Sequence, residues 1–166
     1  TYGPNKKDVA DIIALYGKRT DKRFKIHRST NSGQSWSSFA TNLDDIGVTT
    51  TLPPAVSRDA DRTVLFFTNQ DHRPTWIIGN NSGSSFDTSA WTTFGGYPSM
   101  YGTAGHGYDD EYMMAWVEGD TDDDVIKVVR STNGAQSWHW RNPPTSSAIG
   151  TPAIHKVSAN TWILAY

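Results

Sequence analysis

The chain contains no cysteine, so it forms no disulfide and offers no thiolate as a nucleophile or metal ligand. It has no run approaching the roughly 20 apolar residues of a membrane-spanning helix, so we expect no membrane insertion. Its formal net charge of −2 lacks the positive excess that attracts nucleic acid. The zinc-binding motif His-Glu-x-x-His does not occur. These absences argue against a nucleic-acid partner, a membrane-spanning helix and a zinc peptidase active site in this chain.

The composition suits a chain of short strands and turns. The 166 residues fit one compact domain, or part of one. The chain begins with Thr1 and carries no signal peptide, so we interpret it as a mature or excised piece. Seven Trp and seven Tyr residues accompany many small polar ones, as in extracellular proteins that face glycans. We therefore expect a secreted, bacterial protein.

One polar turn of eight residues occurs three times. The copies are residues 29–36 (STNSGQSW), 79–86 (GNNSGSSF) and 131–138 (STNGAQSW). They follow one another at intervals of 50 and 52 residues, a period typical of solenoids and propellers. Asn tolerates the left-handed conformation and Gly adopts it without steric cost, so each copy predicts a hairpin turn. Gly134 lies one place earlier than Gly33, which predicts a distorted third turn. The final aromatic residue is expected to pack back under the turn.

These turns resemble the Asp-box, or BNR repeat, of sialidases and related β-propellers. The matching residues are Ser29, Asn31, Gly33, Trp36, Asn81, Gly83, Phe86, Ser131, Asn133 and Trp138. All three copies carry Asn where the family usually has Asp, which keeps the hydrogen bond of the turn without its charge. In that family the box joins the third and fourth strands of a blade. The resemblance therefore implies a fold and not a reaction.

A second marker has nearly the same period. Ala55, Ala104 and Ala153 lie 49 residues apart, and each begins a predicted unit. Apolar runs at 63–68, 112–117 and 162–166 read as buried strands. We predict an all-β fold for residues 21–166, a β-propeller of four-stranded antiparallel blades. Full blades would cover 53–101 and 102–149, and the remainders 24–52 and 150–166 would form a third.

About three blades per chain are fewer than the 4–8 of closed propellers. We therefore expect self-association into a six-bladed homodimer, or completion of the ring by further sequence. Three blades alone would expose apolar sheet faces, which is unfavourable.

Residues 1–20 are predicted to form an N-terminal helix and linker. Val9, Ile12, Ile13 and Tyr16 follow helical spacing, and Gly17 lies where a helix would end. The segment 8–17 (DVADIIALYG) also resembles the last helix of metzincin-type zinc peptidase domains. That resemblance implies a peptidase upstream, which the propeller would target. The alternative is an amphipathic helix docked on the β domain.

The sialidase resemblance would imply three arginines that hold a substrate carboxylate, a Tyr–Glu nucleophile pair and an Asp acid/base. The Arg-Ile-Pro motif of that family does not occur, and no arginine lies in a matching motif. We therefore assign no catalytic residue and no metal site to the chain.

A ligand site is predicted on the innermost strands, where Ser57, His106 and His155 occupy equivalent positions at intervals of 49. The candidate ligand-binding residues are His106, His155, Arg58, Tyr101, Tyr108 and Asp109. Alternatively, the two histidines are structural and line a wet channel. The acidic run Asp122, Asp123 and Asp124 could hold Ca²⁺, or it could form a solvated hairpin tip.

The leading functional hypothesis is a noncatalytic propeller module that binds a glycan or glycoprotein. One alternative is a sialidase-type glycoside hydrolase whose site is completed across chains. Another is a structural or interaction scaffold.

Overall fold

A computed structural model of the chain describes residues 12–17, 24–39, 43, 49–50, 52–59, 62–80, 83–87, 92–94, 98–119, 124–141, 143 and 147–166. These residues form thirteen strands: β1 Ile12–Gly17, β2 Phe24–Ser29, β3 Ser37–Phe39, β4 Ala55–Arg58, β5 Arg62–Thr68, β6 Pro74–Asn80, β7 Thr92–Thr93, β8 Ala104–Tyr108, β9 Glu111–Glu118, β10 Val125–Ser131, β11 His139–Arg141, β12 Ala153–Ser158 and β13 Thr161–Ala165.

The strands form four antiparallel sheets in chain order. Sheet I is β1-β2-β3, sheet II is β4-β5-β6-β7, sheet III is β8-β9-β10-β11 and sheet IV is β12-β13. Each strand pairs with the next strand of its own sheet, so every sheet is a meander. The fold is all-β, as predicted, with the sheet architecture of a β-propeller. In the described part of the chain, no helix has the length and apolar character needed to cross a lipid bilayer.

The predicted units begin where the sequence places them. Ala55, Ala104 and Ala153 are the first residues of β4, β8 and β12. The innermost strands also need small residues, because an added Cβ at Gly105 would overlap the ring of Phe66 in the neighbouring sheet. The inner strand β8 is therefore crowded at this position.

The N-terminal helix prediction is wrong for residues 12–17, which form β1 instead. β1 pairs with β2 along its whole length, from Ile12 opposite Ser29 to Gly17 opposite Phe24. A short isolated helix is marginal in water because its first turn is costly to form. The open edge of β2 offers a complete ladder of backbone hydrogen bonds, which outweighs the helical spacing. The metzincin resemblance, which requires a helix, loses its support here; residues 1–11 and 18–20 lie outside the described residues.

The presence of β1 also changes the number of strands in sheets I and IV from the number predicted. The ladder between β1 and β2 crosses the predicted domain boundary at residue 20. Sheets I and IV together contain five strands, whereas the prediction assigned four to them. The blade number therefore stays a prediction.

The sheets pack face to face, and the central strands are buried on both faces. Leu65 and Phe67 of β5 join an apolar cluster with Phe24 of sheet I. Val64 and Phe66, which alternate with them, join a cluster with residues of sheet III. This alternation follows from the two-residue period of a strand. A third cluster, with Ala115, Val117, Ile154 and Leu164, lies between sheets III and IV.

The first and third turns have the same hydrogen bonds. Ser29 Oγ accepts from the Gly33 N–H at 2.8 Å, and Asn31 Oδ1 accepts from the Ser35 N–H at 2.9 Å. In the third copy, Ser131 Oγ accepts from the Ala135 N–H at 3.0 Å, and Asn133 Oδ1 accepts from the Ser137 N–H at 3.0 Å.

The third turn is not distorted, contrary to expectation. Residues 32 and 33 both have positive φ angles, and so do Gly134 (70°) and Ala135 (65°). An added side chain at Gly134 would collide with the Arg62 guanidinium, which explains why glycine occupies this earlier position.

The second turn is built one residue earlier than predicted. Asn80 accepts from the Ser84 N–H at 3.1 Å, across the same four residues as the bond between Asn31 and Ser35 in the first turn. Asn81 lies outside the described residues. Phe86 is buried over Gly79, where an added Cβ would lie 2.8 Å from its ring. This contact explains why the second copy begins with glycine and not serine.

The three turn aromatics have different surroundings. Phe86 joins the cluster between sheets I and II, and Trp138 lies 5.3 Å from Trp76 of sheet II. Each of them therefore packs toward the preceding sheet. Trp36 is 44 % exposed, because the described residues contain no sheet before sheet I. The expected packing under the turn is wrong for Trp36.

Candidate functional site

The inner strands of successive sheets are joined by one recurring contact. Ser57 Oγ of β4 donates to the Gly107 carbonyl at 2.5 Å and accepts from the Gly107 N–H at 3.0 Å. In the next sheet, His106 Nδ1 accepts from the Lys156 N–H at 3.1 Å. Both contacts span 50 residues of sequence. The imidazole of His106 therefore takes the structural place of the Ser57 hydroxyl.

His106 and His155 come together on adjacent inner strands. Their ring centroids are 4.3 Å apart, with 41° between the ring planes. His106 is half-buried, whereas His155 is exposed. Burial, together with the electrostatic effect of His155 and Lys156, lowers the pKa of His106 from 6.5 to about 4. The ring is therefore neutral at pH 7, and because Nδ1 accepts a hydrogen bond, Nε2 carries the proton.

A buried ionic network lies next to this histidine pair. The Lys156 Nζ lies 2.5 Å from Glu111 Oε2 and 5.5 Å from the centre of the Trp162 ring. The other carboxylate oxygen of Glu111 contacts the Arg130 guanidinium. The Lys156 side chain is only 4 % exposed, so its charge requires this carboxylate. The network holds sheets III and IV together at the turn between β8 and β9.

A second polar network connects sheets II and III. The Tyr112 hydroxyl donates to Asp59 Oδ2, and the Arg62 N–H donates to Asp59 Oδ1 at 2.8 Å. The Arg62 guanidinium lies 2.8 Å from Asp110 and donates to the Gly134 carbonyl at 3.0 Å. Burial raises the pKa of Tyr112, and the hydrogen bond to Asp59 raises it further. Tyr112 therefore stays protonated and acts as a structural donor.

The remaining predicted ligand residues do not form one cluster. Tyr101 precedes β8, while Asp109 lies in the turn that follows it, so they lie at opposite ends of the strand. Arg58 is the last residue of β4. Tyr108 ends β8, and its side chain lies outside the described residues. Their ligand-binding role stays a prediction.

Tyr101, which precedes β8, has its own contact with a carboxylate. The Tyr101 hydroxyl donates to Asp124 Oδ2 at 3.2 Å. Partial burial raises the pKa of Tyr101, and the interaction with Asp124 raises it further. Asp122 and Asp123 lie outside the described residues, so the calcium hypothesis stays a prediction. The described side chains include no group of three or more His, Asp or Glu residues arranged to hold a metal ion.

Sequence reasoning identified the two histidines but missed the ionic partners. Their 49-residue spacing was the available signal for His106 and His155. Lys156 and Glu111 lie 45 positions apart, which is not one of the repeat intervals of the chain. Nothing in the sequence pattern therefore indicated their contact. Chemically, the arrangement offers an exposed imidazole supported by a neutral one. Such a pair can donate to and accept from ligand hydroxyls.

Comparison with known proteins supports the fold. The chain matches no known family profile and no curated protein. Among solved structures, it resembles NanB, a sialidase determined with Optactamide, with a TM-score of 0.60 and 14 % sequence identity. The match covers 87 % of this chain and 24 % of NanB, so the chain spans about a quarter of that structure. The chain therefore has a sialidase-like β-propeller fold.

Proposed function

We propose that this chain is a noncatalytic, carbohydrate- or glycoprotein-binding propeller module of a secreted protein, and that its polar turns are Asp-boxes with Asn in place of Asp. The observation that carries the proposal is the exposed His155, whose ring centre lies 4.3 Å from that of neutral His106, in a chain of sialidase-like fold. Sites for sugars combine a firm ring surface with a few fixed polar groups. The histidine pair provides both on the innermost strands.

Two arginines and one buried tyrosine are already bound to carboxylates of this chain, which favours ligand binding over catalysis. Arg62 is held by Asp110, and Arg130 is held by Glu111. An arginine that clamps a substrate carboxylate needs its guanidinium fork available. Tyr112, although it has a carboxylate beside it, is fully buried and cannot meet a substrate.

A glycan array with the whole chain tests the proposal. We expect binding to a subset of glycans, and His155→Ala should weaken it because the exposed imidazole is lost. His27→Ala, on sheet I, is the matched control and should bind like the wild type once both variants show an unchanged circular dichroism spectrum. Absence of binding to any glycan would overturn the proposal and favour the scaffold alternative.

A sialidase-type hydrolase is the second candidate, and the contact between Tyr101 and Asp124 favours it. A tyrosine nucleophile needs a base beside it, and the 3.2 Å contact supplies one. A fluorogenic sialoside assay tests this candidate. Turnover that is lost in Tyr101→Phe would support it, whereas a flat trace with the wild type would remove it.

We also propose that a second copy completes the propeller. Trp36 on sheet I is 44 % exposed and Ile163 on sheet IV is 57 % exposed, although apolar residues on the inner sheet faces are buried. Such exposed apolar faces favour association. Light scattering at micromolar concentration should give the mass of a dimer, and a monomer mass would contradict this proposal.

A further inference from the structure

Trp140 is an exposed aromatic residue with an ordered aromatic support. It lies on β11, the outermost strand of sheet III, and is 56 % exposed. Its ring centre is 5.7 Å from Phe94 and 5.6 Å from Trp116. Phe94 and Trp116 stack on each other at 5.2 Å, with 22° between their planes. The indole is therefore held in place before any ligand arrives.

The support continues into the interior. Phe94 lies 5.1 Å from Trp76, which lies 5.3 Å from Trp138. Trp116 and Trp76 are buried, so the row of rings passes from the core between sheets II and III to the rim. A side chain that is already immobilised loses little conformational entropy on binding. The row thus makes Trp140 a rigid platform rather than a mobile surface residue.

Polar groups lie beside the exposed ring. The Arg141 guanidinium donates to the Trp140 carbonyl at 3.2 Å, and Arg141 is itself exposed. β11 pairs with β10 on one side, and the described residues place no strand on its other side. Alternate backbone N–H and C=O groups of a strand point to each side, so some groups of β11 open onto the rim. An apolar ring, a guanidinium and backbone donors and acceptors therefore share one edge.

We propose that this edge is a rim subsite for a pyranose sugar, separate from the histidine pair, in which the apolar face of the sugar stacks on Trp140 and its hydroxyls bond to Arg141 and the β11 edge. The proposal rests on the proposed glycan-binding function and adds a second contact point to it. Tryptophan combines a large apolar face with low conformational freedom, which suits stacking of this kind. A pyranose has the complementary arrangement, because its C–H groups form apolar faces and its hydroxyls project from the ring.

A sugar fits this edge better than an added peptide strand. β11 contains only His139, Trp140 and Arg141, so it offers a very short ladder to a partner strand. Short edge strands are one means by which proteins prevent pairing with other chains.

The test compares Trp140→Ala with Ile149→Ala in the whole chain. Ile149 serves as the control because it is also an exposed apolar residue, 88 % exposed, and lies outside the strands and outside both proposed contact points. The probes are N-acetyllactosamine and 3′-sialyllactose, titrated by calorimetry. We expect Trp140→Ala to weaken binding roughly tenfold, as loss of a stacked aromatic contact does. Trp140→Phe should retain part of the affinity, and Ile149→Ala should bind like the wild type.

A chemical readout separates contact from an indirect effect. The exposed indole of Trp140 should react with N-bromosuccinimide, and bound N-acetyllactosamine should slow that oxidation at least severalfold, as read by mass spectrometry of its peptide. Unchanged affinity in Trp140→Ala, or unprotected Trp140 in the saturated wild type, would overturn the rim subsite while leaving the proposed function standing if His155→Ala still weakens binding. Failure of the wild type to bind either probe, together with a blank glycan array, would overturn both.

Discussion

The backbone N–H of Lys156 donates a hydrogen bond to Nδ1 of His106 at 3.1 Å, across 50 residues of sequence. The same residue sends its side chain to Glu111, 2.5 Å away. One residue of sheet IV thus anchors sheet III through both its backbone and its side chain. The first contact requires an unprotonated Nδ1 on His106, and the second pairs the buried lysine with a carboxylate.

The neutral state of His106 predicts loss of stability in acid. Its pKa is lowered from 6.5 to about 4 in the folded protein, by burial and by its electrostatic interactions with His155 and Lys156. The unfolded chain therefore binds a proton more readily than the folded chain. The stabilising contribution is complete above pH 6.5 and is lost as the pH falls from 6.5 through about 4. Urea unfolding at pH 7.5, 5.5 and 4.0 measures this slope.

The control for this prediction is His106→Gln. Glutamine does not titrate, and its amide oxygen can still accept from the Lys156 N–H. Carboxylates such as Glu111 also respond to acid, so the relevant quantity is the difference between the two proteins. If the variant shows the same pH dependence as the wild type, His106 is not the source.

Removing the charge of Glu111 should destabilise the protein strongly. Glu111→Gln leaves the buried Lys156 ammonium without a carboxylate, at a cost of about 3 kcal/mol. Lys156→Met should cost less, because Glu111 keeps its contact with Arg130. The double variant should be more stable than the sum of the single effects indicates. A double-mutant cycle by urea unfolding checks the coupling, and simple additivity would contradict it.

Ser32 should be replaceable by glycine with a gain in stability. Its φ angle is 58°, a conformation that glycine adopts without strain, and its side chain is exposed. Ser32→Gly is expected to stabilise the fold by about 0.5–1 kcal/mol. Ser38→Gly, at an exposed position of β3, should have the opposite sign because glycine weakens a strand. Thermal unfolding of the two variants tests this prediction. A change in stability of the same sign in both variants would contradict it.

Gly105 should tolerate a methyl group only if Phe66 becomes smaller. An added Cβ at Gly105 would overlap the Phe66 ring, so Gly105→Ala should cost about 1–3 kcal/mol. Phe66→Leu should reduce that cost when the two changes are combined, since the overlapping ring is removed. The free energies of unfolding of the single and double variants provide the test. A cost in the double variant equal to the sum of the two single costs would show that the ring is not the obstacle.

The turns and strand starts were predictable because their determinants are local. The turn of Ser29 and Asn31 is closed by hydrogen bonds that reach no further than four residues along the chain. Ala55, Ala104 and Ala153 mark strand starts for a similar reason, since each unit repeats its own pattern. The second turn deviates by one residue because Phe86 packs on Gly79. That contact depends on packing and is not visible in the repeat.

The sequence by itself determined the all-β class, the period and the turns, because alternation, Asn and Gly act over a few residues. Only the tertiary structure decided that residues 12–17 form β1 rather than a helix, since the open edge of β2 supplies their hydrogen bonds. It also decided the close approach of the His106 and His155 rings and the contact of Lys156 with Glu111. These pairs lie on different sheets, and the packing of one sheet on the next brings them within reach. Apolar burial drives that packing, and the polar contacts form where the packed sheets bring polar side chains opposite each other.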